Sequence, residues 1–123
     1  MAKTLVLISE QSTDAQFAAQ VAAEAGLALR TVKTSRDGVG VIESEDGCVV
    51  MLDASTPEHY SAFEREVQSR IGLFSAKLNA NHIHYLSSKD IYEVPYLIQS
   101  PLFGSYVHRN FEQDAKVGHH YGR

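Results

Sequence analysis

Short apolar runs recur along the chain and predict the strands of a sheet. Residues 5–8 (LVLI) form a continuous apolar run, which is typical of a strand that is covered on both faces. Residues 27–32 (LALRTV) predict a second strand, and residues 48–52 (CVVML) predict a third. Residues 82–86 (HIHYL) predict a fourth strand, and residues 96–98, between two prolines, predict a short fifth strand.

Helical spacing of apolar residues fills the intervals after the first and third predicted strands. Thr13 and Gln16 have the spacing of a capping box, and Gly26 suits a helix end, so together they predict a first helix. Pro57 suits the first turn of another long helix. The apolar stripe of that helix consists of Tyr60, Phe63, Val67, Ile71 and Phe74. Each helix is therefore expected to pack one face against the sheet.

The remaining intervals carry weaker patterns. Residues 35–38 (SRDG) predict a turn, and residues 39–45 are expected to hold at most one or two helical turns. Pro101 is expected to begin a last helix. The apolar positions of that helix are Leu102, Tyr106 and Phe111.

Strands that alternate with helices predict an α/β fold with a parallel sheet and helices on both faces. Right-handed crossovers bring every loop that follows a strand to the same end of such a sheet. Ligand sites of open parallel sheets lie outside this carboxyl end. Side chains that follow the predicted strands are therefore the candidates for a functional site.

Composition narrows the class of protein. A chain of 123 residues with 44% hydrophobic and 21% charged residues is typical of one globular domain. The net charge of −4, without a cluster of Lys and Arg, argues against a nucleic-acid-binding surface. Cys48 is the only cysteine, so no intrachain disulfide is possible. The N-terminal apolar run is too short for a signal-peptide core or a membrane span, and the expectation is a soluble cytoplasmic protein.

Polar residues follow the first, third, fourth and fifth predicted strands. Ser9 and Glu10 follow the first strand, Asp53 the third, Ser87 the fourth and Ser100 the fifth. Two carboxylates at one sheet edge can hold Mg²⁺, and a carboxylate can attack a phosphoryl group. A strand-end aspartate also commonly caps the segment after it, so a purely structural role stays open. No Lys or Arg falls at the predicted end of the fifth strand.

Five segments, in order, resemble the receiver domain of two-component response regulators, the CheY-like family: LVLISE, SRDGVGVI, GCVVMLDASTP, HIHYLSS and YLIQSPLFGSY. The resemblance covers nearly the whole chain and implies a flavodoxin-like, doubly wound, five-stranded parallel sheet. It places Asp53 on the phosphoacceptor aspartate and Ser87 on the switch serine or threonine. It also implies an acidic pocket in which Glu10, Asp53 and a backbone carbonyl near Ser55 would hold Mg²⁺.

Departures from the family pattern bear directly on function. Ser9 stands where the family carries the first acid of its pair, and Ser100 stands where it carries the lysine that contacts the phosphoryl group. Residues 88–95 leave too little room for the usual fourth helix, which is expected to be short or missing. The resemblance therefore implies a degenerate receiver, or pseudo-receiver, that keeps the acceptor aspartate but loses much of the phosphorylation chemistry.

Aromatic residues concentrate around the predicted fifth strand and last helix. The candidates for a partner surface are Tyr92, Tyr96, Phe103 and Tyr106. Exposed apolar surface often marks a partner site, and aromatic residues are enriched at interface hot spots. Equally, these side chains can fill the space that a short fourth helix leaves, and the sequence does not separate the two interpretations.

The leading hypothesis is a non-enzymatic signalling module. Residues 1–113 would form a degenerate receiver domain that binds a partner protein, a second copy or an attached effector domain, and residues 114–123 a tail or linker. No cofactor, nucleic acid or membrane is expected. The alternative is a working receiver that a histidine kinase phosphorylates on Asp53 with Mg²⁺. A small α/β enzyme or ligand binder is a third class, but the chain lacks a Gly-rich phosphate loop and a nucleophile–base pair.

Overall fold

The computed structural model describes residues 2–70, 72–73, 77–78 and 80–110. The predicted tail at 114–123, Phe111, and the stripe positions Ile71 and Phe74 lie outside the described residues. Among the described residues, every helix falls short of the length and apolarity that crossing a membrane requires.

The sheet has five parallel strands in the order β2-β1-β3-β4-β5. Its strands are β1 (Thr4–Ile8), β2 (Ala28–Val32), β3 (Cys48–Asp53), β4 (Ile83–Ser87) and β5 (Ser105–His108). The register pairs Ile8 with Leu52 and Asp53 with Leu86, so the carboxyl ends of the central strands are level. The predicted flavodoxin-like α/β sheet is therefore confirmed.

The helices lie between the strands and on both faces of the sheet. They are α1 (Ser12–Ala25), α2 (Ser35–Ser44), α3 (Pro57–Gln68) and the four-residue α4 (Pro95–Ile98), with 3₁₀ turns at Ala80–His82 and Ile91–Glu93. Helix α1 ends at Gly26, whose φ of 70° is a left-handed conformation that glycine adopts without strain. The predicted capping box at Thr13 is wrong, because the N-cap of α1 is Gln11, two residues earlier, and the helix begins at Ser12.

Residues 35–38 form the first turn of α2, so the predicted turn is wrong and the helix is longer than expected. The Thr34 hydroxyl accepts a hydrogen bond from the Asp37 amide at 3.1 Å and caps the helix. Gly38 lies so close to the side chains of Ile8 and Val32 that a Cβ atom would collide with Ile8. Gly38 therefore allows α2 to pack closely against Ile8. The sequence predicted a turn here because glycine is common in turns.

The fifth strand is Ser105–His108, and the prediction that residues 96–98 form it is wrong. Those residues belong to α4, where Pro95 takes a first-turn position that suits its fixed φ. The helix predicted from Pro101 is wrong for the described residues, because Pro101 and Leu102 form a turn that leads to β5. Only the 3₁₀ turn Ile91–Glu93 and α4 connect β4 to β5, so the fourth helix is short, as expected.

Two apolar layers cover the sheet. Leu5, Leu7 and Met51 face α1, whereas the alternate residues of the same strands face α2, α3 and the β4–β5 connection. Cys48 is buried in the second layer, where it packs as a small core residue. The buried side chains of this larger layer include Val6, Ile8, Val50, Leu52, Phe63, Tyr85 and Leu97. The two layers hold the strand ends, and hence the candidate site, on a rigid base.

Candidate functional site

A buried arginine joins three elements at the carboxyl edge of the sheet. Arg109 directly follows β5, and its backbone amide donates to the Ser87 carbonyl oxygen at 2.8 Å. Its Nε and Nη2 atoms donate to the two carboxylate oxygens of Asp14, each at 2.7 Å. Nη2 also donates to Oδ1 of Asp53 at 2.7 Å, and Nη1 donates to Oγ of Ser55 at 2.6 Å. We call Arg109, Asp14, Asp53 and Ser55 the arginine clamp.

The clamp is shielded from water. The Arg109 side chain is 4% exposed and the Asp14 side chain is fully buried. Burial alone would lower the pKa of the Arg109 guanidinium, but hydrogen bonds to Asp14 and Asp53 outweigh burial and raise that pKa. The guanidinium therefore stays charged, and its fork satisfies the Asp14 carboxylate with two parallel hydrogen bonds.

Asp53 ends β3 and is held from several sides. Its Oδ1 atom accepts from the Ser55 amide at 3.0 Å and from the Ser55 hydroxyl, and its Oδ2 lies 3.4 Å from Nε2 of Gln11. Nδ1 of His59, in the first turn of α3, lies 3.6 Å from Oδ1. Burial alone would raise the pKa of the Asp53 carboxyl, but hydrogen bonds from Ser55 and Arg109 and the guanidinium charge lower it. Asp53 is therefore an ionised, hydrogen-bonded carboxylate.

Asp14 and Arg109 are the residues that sequence reasoning missed. Asp14 lies in the first turn of α1, where an acid suits the positive end of the helix dipole, so the local sequence does not point to a buried ion pair. Its carboxylate also accepts from the Ser9 hydroxyl at 2.6 Å. Asp14 and Arg109 lie 95 positions apart, and no local pattern links them.

Glu10 does not join the buried cluster. It lies after β1, as predicted, but is exposed, and the buried acid on this side of the sheet is Asp14. The pair of acids implied by the resemblance is thus replaced by one buried acid from a helix and one exposed acid from a loop.

The two predicted serine positions fall in different places. Ser87 ends β4 and is fully buried, and its hydroxyl accepts from the Lys89 amide at 3.2 Å. Ser100 is not at a strand end, because it lies in the turn after α4 and accepts from the Leu102 amide at 2.9 Å. The prediction that Ser100 stands at the end of the fifth strand, where the family carries its lysine, is therefore wrong. The residue after the true fifth strand is Arg109, so a cation does stand at that edge.

The residues at this edge do not fit Mg²⁺. Mg²⁺ takes oxygen ligands in near-octahedral geometry, which requires carboxylate oxygens that face a common point. Here the oxygens of Asp14 and Oδ1 of Asp53 face the Arg109 guanidinium, and the Ser55 donors approach Asp53 as well. The described residues contain no group of three or more His, Cys, Asp or Glu side chains that could hold a metal ion.

The four predicted partner-surface residues separate into two kinds. Tyr92 is 88% exposed, and Ile98 nearby in sequence is 52% exposed. Tyr96, Phe103 and Tyr106 are partly buried against the larger core layer. The Tyr96 hydroxyl donates to the Ala54 carbonyl oxygen at 3.1 Å, and Phe103 stacks on Tyr85 with ring centroids 6.0 Å apart. Three of the residues thus fill the space beside the short fourth helix, and Tyr92 remains free to bind.

A cavity of about 260 Å³ lies beside the clamp. It opens where the connections from β1 and β3 run in opposite directions, which is the topological switch point of this sheet. Its lining residues include Ile8, Ser9, Glu10, Lys33, Ser35, Leu52, Asp53 and His59. Ligand sites of open α/β sheets lie at this point.

No family model and no curated protein matches the chain. The resemblance to receiver domains therefore stays a prediction from the quoted segments, and the function has to be argued from the geometry of the site.

Proposed function

We propose that the protein is a non-enzymatic signalling module, a degenerate receiver domain that acts by binding a partner protein or an attached effector domain without being phosphorylated. It would act in the cytoplasm, and a second copy of the chain is one possible partner.

The arginine clamp is the observation that carries this proposal. A phosphoacceptor aspartate needs a free carboxylate oxygen, a metal ion and a cation that neutralises the transferred group. In the clamp, the guanidinium that contacts Asp53 is also bound to both oxygens of Asp14, whose side chain is fully buried. Because breaking a buried ion pair is costly, Arg109 is not free to follow an incoming phosphoryl group.

The surface between β4 and β5 supports the binding part of the proposal. Tyr92 and Ile98 are the large apolar residues that the described part of the chain leaves exposed. Tyr92 lies in the 3₁₀ turn and Ile98 ends α4, the two short elements that replace a longer helix. Aromatic side chains are common anchors of protein interfaces, so we expect Tyr92 to lie at the centre of the partner interface.

One observation favours the alternative of a working receiver. Arg109 stands at the carboxyl end of β5 and touches Asp53, so the positive charge that had been assigned as missing is present. If the clamp opened, the guanidinium could neutralise a phosphoryl group on Asp53. The two functions therefore differ in whether Asp53 reacts.

Intact mass after incubation with acetyl phosphate and Mg²⁺ distinguishes them. We expect no added phosphoryl group in the wild type, because Oδ1 of Asp53 accepts hydrogen bonds from Ser55 and Arg109 and the described residues contain no group of His, Cys, Asp or Glu side chains that could hold a metal ion. A working receiver domain treated in the same way shows that the donor is active. Addition of one phosphoryl group to the wild type but not to Asp53→Asn would overturn the proposal in favour of the working receiver.

A further inference from the structure

The two edges of the sheet lie far apart and carry different side chains. Strand β2 and the helix α2 that follows it form one edge, and β5 with the connection from β4 forms the other. Four strand spacings of about 4.8 Å separate the edges by roughly 19 Å. Helices α2 and α4 pack against the same face of the sheet, so both edges present a surface on that face. Within one copy these two surfaces cannot touch each other.

The edge beside β5 presents an exposed tyrosine between two acids. Tyr92 lies in the 3₁₀ turn and is 88% exposed, and Ile98 at the end of α4 is 52% exposed. Asp90 and Glu93 flank Tyr92 and are exposed, and Oε2 of Glu93 accepts from the Asp90 amide at 3.2 Å. We call Tyr92, Ile98, Asp90 and Glu93 the acidic edge.

The surroundings of the acidic edge are negative as well. Lys89 is the only cation among residues 88–104, which connect β4 to β5. Glu58, in the first turn of α3, adds another exposed acid. Burial raises the pKa of the Tyr96 hydroxyl and the charge of Glu58 raises it further, so Glu58 lies close to this connection. A complementary partner surface is therefore positive.

A groove of about 670 Å³ lies between β2 and α2 at the opposite edge. Half-buried Val32 and Val41, with Gly40 beside them, give the groove an apolar strip. Its charged lining residues are Arg30, Lys33, Arg36, Arg70 and Asp37. We call this feature the basic groove, because four cations and one acid surround its apolar strip.

Glutamates outside the groove lining pair with two of these cations. Arg70 forms ion pairs with Glu43 and Glu66. The Arg30 guanidinium lies 4.0 Å from a carboxylate oxygen of Glu45. Arg30 and Arg70 therefore contribute little net charge to the groove.

The other two cations keep their charge available. Lys33 and Arg36 are exposed, and neither forms an ion pair with a carboxylate in the described part of the chain. They outnumber Asp37, the one acid of the lining. The groove therefore keeps a positive charge beside its apolar strip, which complements an exposed aromatic ring between two acids.

We propose that copies of this chain associate head to tail, with the acidic edge of one copy seated in the basic groove of the next. The Tyr92 ring covers Val32 and Val41 of the next copy. The carboxylates of the acidic edge lie beside Lys33 and Arg36. Because the two surfaces differ and lie on opposite edges, the contact is heterologous, and copies add until a ring closes or a filament grows. The inference rests on the proposed binding role of the Tyr92 surface and names its partner.

Sedimentation of two complementary variants tests the inference. Tyr92→Ser removes the apolar anchor of the acidic edge, and the double variant Lys33→Glu/Arg36→Glu reverses the charge of the basic groove. We expect the wild type to form species larger than a dimer between roughly 10 µM and 1 mM, the range of weak interfaces of small area. Each variant alone should associate roughly tenfold more weakly or not at all.

An equimolar mixture of the two variants gives the decisive result. Tyr92→Ser keeps an intact basic groove, and the charge-reversed variant keeps an intact acidic edge, so one productive contact remains. The mixture should therefore form a dimer that grows no further. A mixture that stays monomeric overturns the inference, as does a wild type that stays monomeric up to about 1 mM. A wild type that stops at a dimer also overturns it, because the contact is then isologous.

The matched control is Lys3→Glu/Arg65→Glu, which changes the net charge equally at exposed positions outside both surfaces. It should associate as the wild type does, and the inference fails if Lys33→Glu/Arg36→Glu does so too. Raising the salt concentration should weaken association, because the paired charges are exposed. Melting curves establish that each variant is folded.

Failure of this inference is distinguishable from failure of the proposed function. A wild type that stays monomeric and takes up no phosphoryl group overturns the head-to-tail contact alone. A wild type that is phosphorylated on Asp53 overturns the proposed function, whatever its state of association.

Discussion

Replacing Arg109 by methionine is the sharpest test of the clamp. Methionine keeps much of the length and apolar body of the side chain but removes the guanidinium. Asp14, whose side chain is fully buried, then loses both of its charged donors and keeps only the Ser9 hydroxyl. Asp53 loses one charged donor and keeps the two donors of Ser55.

The magnitude follows from which charges stay buried. Removing one partner of a buried pair costs about 3–5 kcal/mol, because the other charge is left without compensation. The four hydrogen bonds of Arg109 do not simply add to this figure, since the guanidinium also regains its hydration when the chain unfolds. We therefore expect Arg109→Met to lower the free energy of unfolding by about 3–5 kcal/mol at neutral pH and low salt.

Urea denaturation followed by circular dichroism measures this loss. The midpoint should fall while the slope stays unchanged, because the variant alters stability rather than the surface exposed on unfolding. Arg65→Met, on the exposed face of α3, is the matched control and should change the free energy by less than about 0.5 kcal/mol. A double variant that also carries Asp14→Asn should recover part of the loss, because no uncompensated charge remains at position 14.

A small effect would refute this reasoning. If Arg109→Met lowers the free energy of unfolding by less than about 1 kcal/mol, Arg109 stabilises the fold no more than a typical surface ion pair does. If the double variant is no more stable than Arg109→Met, the buried Asp14 charge is not the source of the loss.

Two further predictions come from neighbouring features. The pKa of Asp53 is lowered in the folded protein, so its ionised form stabilises the fold at neutral pH, and that contribution is lost as pH falls below about 4. The difference in unfolding free energy between wild type and Asp53→Asn, from urea titrations, should therefore shrink on acidification; a difference that grows would contradict the clamp. In α2, Gly40→Ala should stabilise by about 0.5–1 kcal/mol, because helix propensity rises and no atom lies near the new methyl group. Gly38→Ala should instead destabilise by about 1–2 kcal/mol, because its Cβ meets the buried Ile8 side chain; thermal melting of both variants checks the reversal of sign.

Most of the fold follows from the hydrophobic pattern, and its failures have local causes. The central strands β1 and β3 are nearly continuous apolar runs that pair as buried parallel strands, which is a strong sequence signal in such a sheet. The edge strand β2 (ALRTV) is mixed in composition and mostly exposed. The fifth strand is a short edge strand, Ser105–His108, in which only Tyr106 and Val107 lie between two polar ends. The apolar triplet at 96–98 resembled a strand more closely, but Pro95 begins a helical turn there.

The site is harder to predict than the fold because its pairs are distant in sequence. Asp53 was identified from its position after a strong strand, and it does lie at the carboxyl edge. Arg109 was not identified, because misplacing β5 put Ser100 at the strand end. An acid in the first turn of a helix is explained by the helix dipole, so the sequence around Asp14 does not predict a buried ion-pair partner. Correct placement of one four-residue strand is what brings the clamp together.

The Nε–H signal of Arg109 gives the most direct test of the account. This proton donates to Oδ1 of a fully buried Asp14, so it should exchange slowly with water and give a distinct resonance in a ¹H–¹⁵N spectrum. The account predicts that the resonance persists unchanged when millimolar Mg²⁺ is added, because both carboxylate oxygens of Asp14 and Oδ1 of Asp53 are held by the guanidinium. A saturable shift or loss of this resonance with Mg²⁺ would contradict it, since a metal ion would then displace Arg109 from the acidic pocket.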